Sequence, residues 1–339
     1  MRKTLALVGL VALVVVVASA SIVIYQRHHP ATTTTIPATT TTTQPGVPIA
    51  PLTGLSDPTG VSRTRPALTV KIENTPQALP QWGVSQADAV YEEIVNGGIT
   101  RLAAIFNSHA PAKVGPVRSV RPTDTQIVWP LGGIFAFSGG AQYAINSIST
   151  APVNLVDESS AGDAMFRDLN LLAPHNLFAS APLLFAFKGT PTPPPAIFTY
   201  RARGDAVTGS PVSSVVVPFP SIYAVTWTWD THTLSWDRTL FGEPDVTGTG
   251  QRESPQNVIV MWVDYVNGIG TESSYADLQG SGQAAVFTDG REIRGQWARG
   301  PSKADIINYL TASGSTIKLT PGQTWVEVLN DGTVLSTTH

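Results

Sequence analysis

From residue 51 onward the chain is a series of short apolar or alternating runs separated by turn-forming residues. ALTVKIE (67–73) reads as a strand, and SQAD (85–88) has the Ser-x-x-Asp spacing of a helix-capping turn. AVYEEIV (89–95) and ITRLAAIF (99–106) flank Asn96-Gly97-Gly98, which predicts a hairpin. GGIFAF (132–137) is strand-like and AQYAINSI (141–148) has a helical pattern. After the proline-rich break TPTPPP (190–195), TWTWDTHTLSWDR (226–238) alternates on both sides of a polar turn, and NVIVMWVDY (257–265) is a continuous apolar strand. AAVFTDGREIRGQW (284–297) carries Asp289-Gly290, the pair preferred in a tight type I′ turn, and PGQTWVEVL (321–329) supplies another strand. ADIINYL (304–310) reads as one short helix.

These elements predict an α+β protein. A mixed α/β N-terminal domain over 48–190 precedes a mostly antiparallel β C-terminal domain over 196–339, with a proline-rich linker at 191–195. No internal repeat is visible. Trp227, Trp229, Trp236, Trp262, Trp297 and Trp325 are expected as core anchors rather than as stacking platforms.

The N-terminus bears on compartment. Residues 4–25 carry no charge and are long enough to span a bilayer. Arg2 and Lys3 outweigh Arg27, so the positive-inside rule places the body outside the cytoplasm. Residues 1–30 then form an anchor, a reading favoured by the apolar run continuing through Ile22 and Ile24. The other reading is a removed signal peptide, with Ala18-Ser19-Ala20 at the cleavage site. Either exports the protein: to the outer face of the cell membrane if tethered, to the medium if cleaved. The Thr/Pro tract at 31–47 has no apolar area to bury and reads as an extended spacer.

Composition sharpens the search for chemistry. Apolar residues make up 42% of the chain and charged residues only 13%, against roughly 25% in ordinary domains, so each charge is informative. The net charge of −3, with no basic stripe, argues against nucleic acid as a partner. Cysteine is absent, which excludes a cysteine nucleophile, disulfides, thiolate metal sites and a lipidated cysteine.

PLTGL, RPALTVKIEN, GVSQADAVYEEIVNGGITRLAAIF, KVGPVRSVRPTD, FSGG, FRDLNLLAPHN, PQNVIV, GQAAVFTDGREIRGQW and PGQTWVEVL occur in this order. Together they resemble the YerB-like family of bacterial extracytoplasmic proteins, over nearly everything from 51 to 330. The resemblance implies an extracytoplasmic location and a two-domain layout, without an established activity. Members are often lipoproteins. This chain departs from that pattern, since no cysteine follows its apolar segment.

The candidate chemistry centres on VGPVRSVRPTD (114–124), where Arg118 and Arg121 stand three apart between Pro116 and Pro122. In an extended stretch they point to opposite faces; in one helical turn they share a face and clamp an anion. Arginine suits bidentate recognition of carboxylate or phosphate. The competing reading is an internal salt-bridge network with Glu92, Glu93 or Asp124. Across the predicted hairpin, Arg101 faces Glu92 if the loop has two residues and Glu93 if it has three. Ser138-Gly139-Gly140 joins a strand to a helix and is either an anion-binding turn or a tight turn that needs glycine; the resembling family also carries a glycine pair here. His175 and Asn176 follow Pro174 in a loop, with Arg167 and Asp168 placed to orient the histidine.

Two functions follow. The first is a membrane-tethered protein that binds an anionic cell-envelope polymer fragment or envelope protein through Arg101, Arg118, Arg121, Asp124, Ser138, Gly139, Gly140 and Asn176. The second is an envelope hydrolase or transferase with Glu93 or His175 as general acid/base, supported by Arg118 and Arg121. Neither calls for a cofactor, and no metal site can be argued. GSGQAA (280–285) runs into a strand where a dinucleotide site needs a helix, and STIK (315–318) lacks the partner motifs of penicillin-interacting enzymes.

Overall fold

The computed structural model describes residues 46–202, 204–220 and 224–339; the predicted anchor and nearly all of the Thr/Pro tract lie outside the described residues. The first half contributes β1 (Leu68–Glu73), β2 (Ala89–Ile94), β3 (Thr100–Phe106), helix α1 (Pro122–Val128), β4 (Ile134–Phe137), helix α2 (Gln142–Ile148), β5 (Asn154–Asp157) and helix α3 (Ala181–Lys188). The second half contributes β6 (Ser214–Pro218), β7 (Ala224–Asp230), β8 (Ser235–Leu240), β9 (Asn257–Val263), β10 (Gly280–Thr288), β11 (Arg291–Arg299), β12 (Asn308–Thr311) and β13 (Thr324–Asn330). The protein is α+β, and the second half is mostly antiparallel strands. Among the described residues no helix is long and apolar enough to cross a membrane.

One large sheet runs in the order β12-β11-β10-β9-β13-β2-β3-β1-β4-β5. Its centre joins the two halves of the sequence. β13, the last long strand, lies between β9 and β2 and pairs in parallel with both. The proline-rich break at 190–195 therefore separates two stretches of sequence, while everything described belongs to one compact unit, with a large apolar core drawn from both halves and a smaller cluster of Val120, Val128, Phe135, Phe137, Ala144 and Ile148. A second, five-stranded sheet contains β8, β7 and β6 in that order, bordered by Glu243–Pro244 and Ser336–Thr338.

Most strands fall where the apolar pattern puts them, with two corrections. The segment read as a helix at 304–310 ends in β12, which pairs with β11 in antiparallel register. The exposed edge of β11 needs a partner, and Tyr309 buries its ring against Phe198 at 6.2 Å; these outweigh a weak local helical pattern. SQAD caps no α-helix. Residues Val84–Gln86 form a single 3₁₀ turn. Asp88 instead accepts the backbone amides of Asn107 and Ser108, just past the end of β3.

The predicted tryptophan anchors are buried, Trp229 only partly. Trp227 and Trp325 meet edge to face at 5.3 Å beside Arg238, which is fully buried between the sheets. Arg238 donates to Glu92 of β2 at 2.6 Å and also to Asp245, and its guanidinium lies 4.7 Å from the Trp325 ring centre. Glu327 of β13 sits level with Glu92 on the neighbouring strand and accepts the Trp227 indole N–H at 2.8 Å. Glu253 is also buried nearby, so four carboxyl groups surround one guanidinium. Burial raises the carboxyls of Glu253 and Glu327 well above the usual range, with Asp245 and Glu92 respectively adding like charge.

Two outcomes follow from this cluster. Arg238→Met should cost about 3–5 kcal/mol in denaturant unfolding, because it strands buried carboxylates without their cation. Glu253 and Glu327 hold protons in the folded state that the unfolded chain has already lost above 4.5. Their contribution to stability is therefore present below 4.5 and lost as pH rises through the folded values. Glu253→Gln should raise the Tm at mildly alkaline pH and leave it nearly unchanged in acid.

Candidate functional site

Three adjacent strands place charges on one face of the sheet. In β1 the residues Thr69, Lys71 and Glu73 share a face by strand alternation, and Glu73 pairs across to Arg101 of β3, which pairs in turn to Glu93 of β2. The hairpin thus has the longer of the two expected loops, and Glu93 rather than Glu92 stands level with Arg101. Glu92 points to the opposite face, where it meets Arg238.

Level does not mean paired. Glu93 and Asp124 both bind Lys71, the latter at 2.8 Å, and all three side chains are fully buried. Lys71 is opposite Ala103, whose lone methyl leaves room for the ammonium to reach diagonally to Glu93. Asp124, in the first turn of α1, also accepts the Arg121 backbone amide at 2.7 Å, with Pro122 occupying the helix position that needs no donor. Burial raises the Asp124 carboxyl to about 6, against the pull of Lys71.

The arginines are left to other partners. Residues 117–120 run extended: the Arg118 amide bonds the Lys71 carbonyl at 2.8 Å, and Ser138 and Val120 amides bond Arg118 and Gly139 carbonyls at 3.0 Å. Arg118 forms a two-pronged ion pair with Glu73, at 2.9 and 3.0 Å. His175 Nδ1 lies 2.9 Å from the same Glu73 oxygen that faces Arg118 Nε. Arg101 and Arg121 are 7% and 8% exposed, and neither has an ion-pair partner among the described residues. Arg101 donates to the Ser119 carbonyl at 2.9 Å; Arg121 donates to the Val120 carbonyl and to the Asn96 side chain, at 2.8 and 2.6 Å. The Nε of each is buried without a partner. Burial, then the like charges of Arg121 and Arg118, lowers Arg101 to about 9, still charged at neutral pH.

The structure therefore brings Arg101, Arg118, Arg121 and His175 together and adds Glu73. Glu93 and Asp124 adjoin the site, but both are bound to Lys71. The Ser138 amide is engaged with Arg118, and Gly140 packs so closely that a Cβ there would meet Val120 at 2.8 Å. This turn braces the arginine strand. Asn176 is buried, accepts from Arg167 at 2.7 Å and donates to the carbonyls of Asp168 and Leu171, so it shapes the loop that carries His175. Asp168 pairs with Lys113 and Arg167 with Glu158, and neither touches the histidine. The expected network of the arginines with Glu92, Glu93 and Asp124 is replaced by Lys71 and Arg238. The sequence reading missed Lys71 and Glu73; the signal available was VKIE, two charges with strand spacing inside an apolar run. Beside Arg121, Tyr143 lines a cleft of about 470 Å³ with Gln126, Asn267, Tyr275 and Lys303. No cluster able to hold a metal ion occurs among the described residues.

Known proteins match this chain along both halves. Residues 52–190 match the family described as protein of unknown function (DUF3048) N-terminal domain, and residues 215–326 match its C-terminal domain. The chain belongs to the YerB-like two-domain family. YerB of Bacillus subtilis (strain 168), whose name marks it as a candidate lipoprotein, is 28% identical over 306 residues, covering 83% of this chain and 86% of YerB. The crystal structure of the YerB protein from Bacillus subtilis superposes with a TM-score of 0.75 at 24% identity, covering 86% of this chain and all of the other. The overall fold is thus shared.

Lys71→Met should destabilise the protein by about 3–5 kcal/mol in denaturant unfolding, since two buried carboxylates lose their cation. A loss under about 1 kcal/mol would mean that Glu93 and Asp124 turn to Arg101 and Arg121 instead.

Proposed function

We propose that this YerB-like protein works on the outer side of the cell membrane and binds an anionic component of the cell envelope at Arg101, Arg118 and Arg121. The observation that carries this reading is the pair Arg101 and Arg121: two nearly buried guanidinium groups with no carboxylate of their own and an unpartnered Nε on each. A buried charge without a partner is costly, and a bound phosphate or carboxylate would offset that cost. The location follows the candidate-lipoprotein name of YerB and the predicted N-terminal segment. The cleft at Tyr143 offers room for the uncharged remainder of an envelope polymer fragment or for a partner protein.

A second reading rests on the His175–Glu73 contact at 2.9 Å. An imidazole held by a carboxylate beside an arginine is an arrangement used in general acid/base catalysis. In a hydrolase or transferase, His175 would move the proton, Glu73 would orient it, and Arg118 would stabilise the anion; Glu93, tied to Lys71, would take no part.

Calorimetric titration of the protein with glycerol phosphate and with anionic peptidoglycan fragments tests the binding reading. Wild type should bind one of them, and Arg121→Gln should weaken binding at least tenfold, about 1.4 kcal/mol, while its Tm stays level or rises. If no anion binds, or if Arg121→Gln binds as well as wild type, the reading fails. Turnover of a bound fragment that stops in His175→Gln would decide for the enzyme.

A further inference from the structure

The loop that ends at His175 is also the most exposed apolar feature among the described residues. Residues 168–176 connect the paired strands Met165–Arg167 and Leu177–Ala179. Leu169 is 90% exposed and Leu172 85%, and Leu171 and Phe166 are also exposed. A single exposed leucine needs no explanation; four exposed apolar side chains within seven residues, two of them almost fully exposed, do. The loop is braced rather than loose. Asn176 bonds the Asp168 and Leu171 carbonyls, Asp168 takes Lys113 at 2.8 Å, and the His175 amide donates to Leu172 at 2.9 Å. The leucines are therefore presented outward by a fixed frame, and the same frame sets His175 against Glu73 and, through it, Arg118.

An apolar tip next to a cationic site matches one kind of partner: a surface that is oily inside and carries anions at its edge. The chain outside the described residues favours a bilayer. Its predicted span and the 17-residue tract 31–47 would tether the body within roughly 50 Å of the membrane if the tract is extended. We infer that the 168–175 loop dips Leu169 and Leu172 into the outer leaflet while Arg118, Arg101 and Arg121 take the phosphate of a lipid in that leaflet. The inference rests on the anion-binding reading above and narrows its ligand to a phosphorylated lipid.

The absence of cysteine makes the test clean. Leu172→Cys is labelled with a polarity-sensitive fluorophore in the full chain. Thr64→Cys, exposed beyond the opposite end of β1, serves as the control. Both are reconstituted into vesicles of phosphatidylcholine alone and of phosphatidylcholine with phosphatidic acid. The expected result is a blue shift at Leu172 and none at Thr64, larger with phosphatidic acid. The added part should disappear in Arg118→Gln and, without any mutation, on adding soluble glycerol phosphate. No shift at Leu172 would overturn membrane docking, and calorimetry with glycerol phosphate would then show whether the anion site stands without it. Equal shifts in both vesicles, unmoved by glycerol phosphate, would overturn capture of the lipid phosphate. A shift that appears only when an envelope protein is added would assign the loop to a protein partner and overturn the inference.

Discussion

The electrostatics of the site depend on the side chain of Lys71. Set in a strand that is buried along its whole length, its ammonium takes both Glu93 and Asp124. Those are the carboxylates that act on Arg121, and Glu93 also stands level with Arg101. Because Lys71 binds both directly, neither guanidinium makes an ion pair of its own among the described residues; the carboxylates act on Arg101 and Arg121 only through space, and a bound anion would add the direct partner that the protein does not supply. The remaining carboxylate, Glu73, is shared by Arg118 and His175 at the partly exposed edge of the cluster. A buried triad thus sets up a cationic rim.

The same strand pair anchors the rest of the fold. Glu92 and Glu93 are neighbours on β2 and face opposite ways. One fixes the site; the other meets Arg238 of the second sheet. β13 closes the structure by entering between β2 and β9, so the C-terminal end of the chain supports the strand from which Glu93 projects. Distortion in either half would be felt at the arginines, which gives a physical reason for the two domains to share one sheet instead of hanging from a linker.

Much of this was legible in the sequence, for reasons that differ from residue to residue. Short apolar runs between turn signals located β1, β2, β3, β10, β11 and β13, and alternation located β7 and β8, because burial on one or both faces fixes where apolar residues fall. The hairpin signal at Asn96-Gly97-Gly98 left two registers, and the structure has the longer loop, with Glu93 level with Arg101. Tertiary pairing prevailed at 304–310, where the open edge of β11 recruits a strand from a weakly helical segment. The sequence singled out Arg118 and Arg121 from charge in apolar surroundings, Arg101 from the hairpin and His175 from its loop and the family resemblance, and the structure places these four side chains near one another. Their partners were not legible, since which carboxylate meets which cation depends on strand order, and strand order is a long-range property. Lys71 and Glu73 are the plainest case: two charges in an apolar strand, unremarkable alone, that become the organising pair once β1 lies beside β3 and the 114–121 segment.

The most direct test of an arginine pair left without ion-pair partners is crystallographic. Crystals soaked in tungstate, a heavy tetrahedral anion, should show an anomalous peak bridging the Arg101 and Arg121 guanidinium groups, with Lys71 still bound to Glu93 and Asp124. A structure in which no anion enters, and in which Arg101 or Arg121 has turned to pair with Glu93 or Asp124, would contradict it.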